Sequence, residues 1–513
     1  MLKGLPVALL VLLVSACSSP RNAQQSVQLP VQTPAQQSEQ FSVQNSIQYP
    51  AQYPGQPKLV AIPVEKVEHQ IKPHWQLSYF DEPVFNSKVA VLEAGNKQKP
   101  PIILIHGLGH LGMKDWFSVI PTLEKNYHVI VMDLPGFGLS SAAKGRFLPT
   151  NYAHVIAAIS KQYSNGKAII MGHSMGGAVA LRYTELYQDF VNQLILVDVA
   201  GLLEKSAFIK HIASFEFGDE VSTPMKLLMG GVNDISSSLI EAGTKSTLLS
   251  DFLQSNDYAW NLAVSDSSNM NAALSLVEED FNTAINQITV PVNIIWGEKD
   301  SVAPLRTGKV LNKKMINVHL EVIEGAGHVP MKSDHAEFMR LLQVALNEPF
   351  NKNSNRPFNK TIATNFTSPQ ADKSQGVLTC RNESHKTYSG HYDKIVIESC
   401  NMIRLLNVST DSLKIKGSVV DIENFNFARK DSRIEFDGAV VTITNADISG
   451  RNTMLISGSR VDMAGVSIEA TGNAVMIANG SRVSASFCDI NSPKYSGVLH
   501  GAFYRSHQAL IEY

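Results

Sequence analysis

The chain has 513 residues, 44% of them hydrophobic and 18% charged, with 44 Lys and Arg set against 46 Asp and Glu for a formal net charge of −2. That is enough apolar material for more than one core, and the near-even charge balance gives no electrostatic reason to expect a nucleic-acid partner. Beyond the N-terminus no segment is apolar enough to cross a bilayer.

Met1-Leu2-Lys3 carries one positive charge, and Leu5 to Val14 is an apolar run too short to span a membrane as a mature helix. Residues 1–16 therefore read as a signal peptide. Val14-Ser15-Ala16-Cys17 resembles the lipobox of bacterial lipoproteins, in which small residues precede a cysteine that is acylated and becomes the mature N-terminus. The resemblance implies lipidation at Cys17 and a membrane anchor, and Ser18 in place of aspartate points to the outer membrane of a Gram-negative cell. From Gln24 to Gln56 glutamine recurs at every fourth position among Pro, Ser, Val and Ala. Low in charge and broken by prolines, this segment cannot bury a core, so residues 17–70 are expected to be an extended tether.

Seven apolar runs then read as strands: Val89 to Leu92, Ile102 to Ile105, Val129 to Met132, Lys167 to Met171, Leu194 to Val197, Val292 to Trp296 and His319 to Ile323. Helical patterns alternate with them from Leu104 onward. The turns behind the strands carry the chemistry. Gly172-His173-Ser174-Met175-Gly176-Gly177 puts a serine at the apex of a strand, turn and helix, where flanking glycines relieve a strained backbone and the hydroxyl is left exposed above the sheet edge. His106-Gly107-Leu108-Gly109 could aim backbone N–H groups at a developing negative charge. Gly297-Glu298-Lys299-Asp300 and Glu324-Gly325-Ala326-Gly327-His328 each follow a strand, so Ser, Asp and His arise in that chain order.

A serine hydroxyl is a weak nucleophile at neutral pH unless a histidine takes its proton, and that imidazole needs an anion to fix its tautomer. Asp198, after Leu196-Val197, competes with Asp300 for the anion's role, and Asp300 is preferred because it ends the last strand before the histidine. His106 and His173 read as packing groups. In these motifs the chain resembles the α/β-hydrolase family over roughly residues 75 to 347, in the manner of serine esterases and lipases. The resemblance implies Ser174 as nucleophile, His328 as general base, Asp300 as the orienting carboxylate, and an oxyanion hole from the backbone N–H groups of Leu108 and Met175. An aspartate at the elbow would have suggested a dehalogenase or epoxide hydrolase; serine implies acyl transfer. No Gly-rich phosphate loop, zinc-ligand cluster or dinucleotide fingerprint is present, and the chemistry requires neither cofactor nor metal.

About 95 residues separate the strands ending at Val197 and starting at Val292, more than one crossover helix uses. Leu227-Leu228-Met229, Leu248-Leu249, Phe252-Leu253 and Ala272-Ala273-Leu274 suggest a helical cap over about 201–285 within a hydrolase domain of 71–347. An Asn-rich linker, 348–373, follows. Beyond it Gly417, Gly438, Gly458 and Gly480 recur at intervals of 20 to 22 residues. The same period stacks Val420, Val441, Val461 and Val483, then Ile422, Ile443, Met463 and Ala485, then Phe427, Ile448, Ile468 and Ile490. Such a period with short alternating strands marks a solenoid. Residues 374–513 are read as an all-β right-handed parallel β-helix, similar in form to the pectate-lyase-like architecture.

The likeness stops at form, because Asp421, Asp437, Asp447 and Asp462 do not share one stacked position. Cys380 and Cys400, 20 residues apart, are placed to bridge neighbouring rungs, and Cys488 should be a buried thiol.

The expected protein is a membrane-anchored serine hydrolase of carboxylic esters, acting on acyl or lipid-like substrates, with a solenoid that could hold a polymer or protein partner. The linker suggests two independently stable cores. Two alternatives remain: the same triad cleaving a C–C bond, and a surface assembly lipoprotein whose hydrolase domain is vestigial.

Overall fold

A computed structural model of the chain describes residues 60–61, 71–203, 268–347, 374–499, 502–505 and 511–512, all within the compact unit Pro57–Tyr513. The signal peptide, Cys17, nearly all of the tether, the cap residues 204–267 with their leucine pairs, and the linker 348–373 lie outside the described residues.

The first half is built on one nine-stranded sheet. Its strands are β1 (Val60–Ala61), β2 (Gln76–Glu82), β3 (Ser87–Ala94), β4 (Pro101–Ile105), β5 (His128–Met132), β6 (Ala168–His173), β7 (Val191–Val197), β8 (Val292–Gly297) and β9 (Val318–Ile323). They lie in the order β1-β2-β3-β5-β4-β6-β7-β8-β9, parallel from β5 to β9 and antiparallel from β1 to β3 and at the β3–β5 pairing. Every residue of β4, β5 and β6 is buried, which is why these strands read as unbroken apolar runs rather than alternating ones. The structure adds β1 and β2 to the seven expected strands, and it draws Val60 and Ala61, assigned to the tether, onto the sheet edge. Near that edge β2 buries Leu77 and Phe80 but leaves Gln76 and Asp81 exposed, so its composition carries no continuous apolar signal.

Helices α1 (Pro149–Tyr163), α2 (Met175–Leu186), α3 (Ser268–Glu278), α4 (Asn282–Gln287), α5 (Arg306–Lys314) and α6 (His335–Asn347) cover the sheet. α1 opens on a proline, which has no N–H to leave unpaired there, and buries Tyr152, Val155, Ile156 and Ile159 along one face. α3 and α4 are the described end of the cap region.

The second half is all strand. One sheet stacks Val377–Arg381, Lys394–Glu398, Leu413–Lys416, Ile434–Asp437, Met454–Ser457 and Val475–Ala478 in parallel. A second stacks Thr387–Tyr392, Ile403–Thr410, Val419–Arg429, Val440–Gly450, Arg460–Ala470 and Arg482–Ser486 in the same way. The chain alternates between the sheets, so each strand pairs with the one two places later, the pairing pattern of a β-helix. The register holds the three expected columns: Val420, Val441, Val461 and Val483; Ile422, Ile443, Met463 and Ala485; and Phe427, Ile448, Ile468 and Ile490. All twelve residues are buried. Cys380 and Cys400 are joined as a disulfide with Cα atoms 6.6 Å apart, and Cys488 is a buried free thiol whose pKa burial pushes up to about 11.

The two halves are not separate bodies joined only by a linker. α5 lies across the second solenoid sheet and makes four ion pairs with it: Arg306 with Asp462 at 3.0 Å, Lys309 with Glu423 at 2.6 Å, Lys313 with Asp447 at 2.9 Å, and Lys314 with Asp489. Three of these carboxylates are 42–49% exposed, so their pairs contribute at most about 1 kcal/mol each. Apolar contact adds to them. Val310, Ala464 and Phe487 belong to one buried cluster that also contains core residues of the nine-stranded sheet and its helices. Gly465, with φ +66°, occupies the close approach, where a Cβ would lie 2.5 Å from Asn445 Oδ1 and 3.2 Å from a Val310 methyl. Asp447 and Asp462, two of the four aspartates that looked scattered in sequence, come from different columns, and the crossing helix pairs with both.

Candidate active site

β6 runs into α2 through a single residue, Ser174, whose backbone sits at φ 54°, ψ −121°. This geometry is rare for a residue with a side chain and survives only where its surroundings over-determine it. Here they do. The Ser174 N–H donates to the Val197 carbonyl at 3.0 Å, and the Ser174 carbonyl accepts from Gly177 at 3.0 Å and Ala200 at 3.3 Å. The turn is tight enough that a Cβ at Gly172 would lie 2.1 Å from the Gly176 carbonyl oxygen, and one at Gly176 would lie 2.4 Å from the carbonyl oxygens of Ile105 and His106. Both glycines are sterically required.

Two loops from the same sheet edge converge on the serine. His328, beyond β9, places Nε2 2.9 Å from Ser174 Oγ and Nδ1 2.7 Å from Asp300 Oδ2. Asp300, beyond β8, accepts from the Val302 and Ala303 N–H groups at 2.8 and 2.9 Å through its other oxygen. Burial opposes the charged carboxylate, but the hydrogen bond and charge of His328 with these two N–H groups outweigh it and hold Asp300 below the usual carboxylate range. The turn after β4 passes against the elbow: a Cβ on Gly107 would lie 3.0 Å from Ser174 Cβ. Leu108 follows directly, and Met175 is the first residue of α2, where backbone N–H groups lack intrahelical partners.

Residues 100–220 match the family model described as alpha/beta hydrolase fold. A lipase of Psychrobacter immobilis is 27% identical over 48% of this chain and 76% of its own length. A monoacylglycerol lipase of Mus musculus is 29% identical over 45% and 70%. A 2-hydroxy-6-oxo-6-(2'-aminophenyl)hexa-2,4-dienoic acid hydrolase of Metapseudomonas resinovorans is 29% identical over 42% and 72%.

The N-terminal part of the chain has the alpha/beta hydrolase fold.

Three further groups crowd this site. Asp198 is fully buried at φ 45°, with Oδ1 accepting from the Gly297 N–H at 2.8 Å and Oδ2 lacking a hydrogen-bond donor. A carboxylate oxygen from each of Asp198 and Asp300 and a ring nitrogen of His328 lie within 4.8 Å of one another. Burial, and then the negative charge of Asp300, push the Asp198 pKa well above the ordinary range. Asp198 therefore favours its neutral form, which can donate to Asp300 instead of opposing it as a second anion. His106 takes up both its nitrogens locally: Nε2 accepts from the Leu134 N–H at 2.9 Å, and Nδ1 lies 2.7 Å from the Gly107 carbonyl.

His173 donates from Nε2 to the His328 carbonyl at 2.7 Å, so it ties the loop of one imidazole to the strand that carries the serine. Asn269 of α3 has no signal in the sequence, yet its Oδ1 accepts from the Gly109 N–H at 2.9 Å and fixes the turn after β4 to the cap. Only the fold brings these residues, 160 positions apart, together.

Burial, reinforced by the nearby His328 charge, lowers the His173 pKa from 6.5 to about 4. The imidazole stays neutral in the fold while the unfolded chain takes up a proton below about pH 6.5, so acid favours unfolding. Its contribution is intact above pH 6.5 and declines toward pH 4, by about 3 kcal/mol in total. Denaturant titrations at several pH values should show that His173→Gln flattens the acid side of the stability curve by that amount. Parallel curves for the two proteins would exclude a neutral buried His173.

Proposed function

We propose that the protein is a serine hydrolase that cleaves carboxylic esters through an acyl-enzyme. The observation that carries this reading is the unbroken hydroxyl, imidazole and carboxylate chain from Ser174 through His328 to Asp300. His328 Nε2 takes the Ser174 proton as Oγ attacks the acyl carbonyl, and the Asp300 anion stabilises the imidazolium that forms. The Leu108 and Met175 N–H groups receive the tetrahedral oxyanion. His328 then returns the proton to the departing alcohol, and water repeats the sequence to free the acid. The names of the lipase and monoacylglycerol lipase relatives support a lipid-like ester. The dienoic acid hydrolase relative gives a specific reason to assay C–C cleavage as a second reading, with the same three side chains.

Ser174→Ala should abolish both ester turnover and labelling by a fluorophosphonate probe, and full labelling of that variant would refute the nucleophile. A panel pairing acyl esters with vinylogous diketone acids separates the two readings. Asp300→Asn should lower kcat by about 10³ to 10⁴ through loss of the correct imidazole tautomer. Asp198→Asn retains an oxygen for Gly297 and a donor toward Asp300, so its kcat should stay within about threefold of the parent. The reverse ranking, with both variants folded, would make Asp198 the working acid.

The lipobox-like Val14-Ser15-Ala16-Cys17 supports an anchor through acylated Cys17, with export to the outer membrane. None of the described helices is long and apolar enough to cross a membrane. Radiolabelled palmitate should enter the parent and not Cys17→Ser, which should appear in the soluble fraction. Equal incorporation in both would overturn lipidation at this cysteine.

A further inference from the structure

α5 begins at Arg306, six positions after Asp300, and its guanidinium is spent on the solenoid. Nη1 donates to Asp462 Oδ2 at 3.0 Å, Nη2 to Asp462 Oδ1 at 3.2 Å and to the Ile443 carbonyl at 3.0 Å, and Nε to Thr444 Oγ1 at 2.8 Å. The fork-on-carboxylate arrangement fixes direction as well as distance. Lys309 adds a backbone link, its carbonyl accepting from Asn445 Nδ2 at 3.1 Å. α5 has few apolar anchors of its own: of its nine residues only Val310 and Leu311 are large, apolar and buried, and Val310 meets the solenoid at Gly465.

The segment between β8 and α5 is therefore held at two ends. At the sheet end the Glu298 N–H donates to the Ile323 carbonyl at 3.0 Å and the Lys299 N–H to the Ala326 carbonyl at 2.8 Å. At the helix end the two N–H groups that orient Asp300 belong to Val302 and Ala303, only four and three residues before Arg306. The Thr307 N–H returns to the Pro304 carbonyl at 2.8 Å, leaving little slack between them. A displacement of the first turn of α5 must then reach the Asp300 carboxylate.

We propose that the solenoid positions the acid loop of the hydrolase, with Arg306, gripped by Asp462, as a positioning residue for Asp300. The inference rests on the triad reading given above. It assigns the C-terminal half a share in setting the active site, where the sequence suggested an independent appendage.

The test uses the full-length chain with a short-chain p-nitrophenyl ester, and a thermal melt on each variant. Arg306→Ala and Asp462→Ala should each lower kcat by about tenfold, since displacements near 1 Å cost on the order of 10²-fold, with KM changed less than about twofold. In an Asp300→Asn background neither should cost more than about a further twofold, because both act through the same carboxylate. The exchanged pair Arg306→Asp with Asp462→Arg should recover part of the loss. Should Arg306→Ala fail to fold, Asp462→Ala, on the half-exposed solenoid side, answers the same question. Parent-like kcat in the single variants, or the same tenfold loss in the Asp300→Asn background, would overturn the coupling while leaving the triad intact. An Asp300→Asn variant at full rate would overturn the triad reading and this inference together.

Discussion

The backbone of Ser174 is the constraint on which the active edge of the sheet depends. Holding a residue with a side chain at φ 54° costs of order 1–3 kcal/mol, and the chain offsets this with buried elements on both sides. β6 is buried along its whole length, and α2 buries nine of its twelve residues beneath the elbow. Gly172 and Gly176 let the two elements close to within van der Waals distance, and hydrogen bonds to Val197, Gly177 and Ala200 lock the turn. With the serine fixed in this way, the loops after β8 and β9 need only reach the same edge for the three side chains to line up.

Electrostatics sorts the crowded carboxyl groups there. Asp300 and Asp198 sit side by side, and two adjacent anions in a buried site are not tolerated. Asp300 collects an imidazole and two N–H donors and keeps its charge, whereas Asp198 has a single N–H donor and favours its proton. Difference in hydrogen-bond supply, not in proximity to the sheet, separates their roles. His173 follows the same logic in reverse: burial keeps it neutral, so it serves as a donor to the His328 backbone and does not compete for protons with the imidazole beside it.

The solenoid and the alpha/beta hydrolase fold share apolar and ionic surface through α5. A β-helix presents rows of side chains one rung apart, and a helix crossing those rows can meet acids from several columns at once. Arg306, Lys309, Lys313 and Lys314 do this with Asp462, Glu423, Asp447 and Asp489. The three pairs whose carboxylates are half-exposed add little individually. Their value lies in direction, because they fix the azimuth of a helix whose own apolar face is only two large residues wide.

Periodicity and turn chemistry made much of the architecture legible from sequence. The buried strands announced themselves as unbroken apolar runs, the elbow by its glycines, and the solenoid by a repeat whose columns reappear in the strand register. These signals are local or strictly periodic, so the chain carries them without reference to its fold. β2 escaped because a half-exposed strand near a sheet edge has no continuous apolar run, and Asn269 because a single side chain reaching a loop 160 residues away leaves no pattern. The choice between Asp198 and Asp300 depended on which carboxylate the His328 ring faces, and the joining of the two halves depended on where α5 crosses the second solenoid sheet. Sequence by itself determined the elements and the residue types able to do the chemistry. Tertiary structure decided protonation, pairing and contact between the halves, because each is set by distances between residues that the chain keeps far apart.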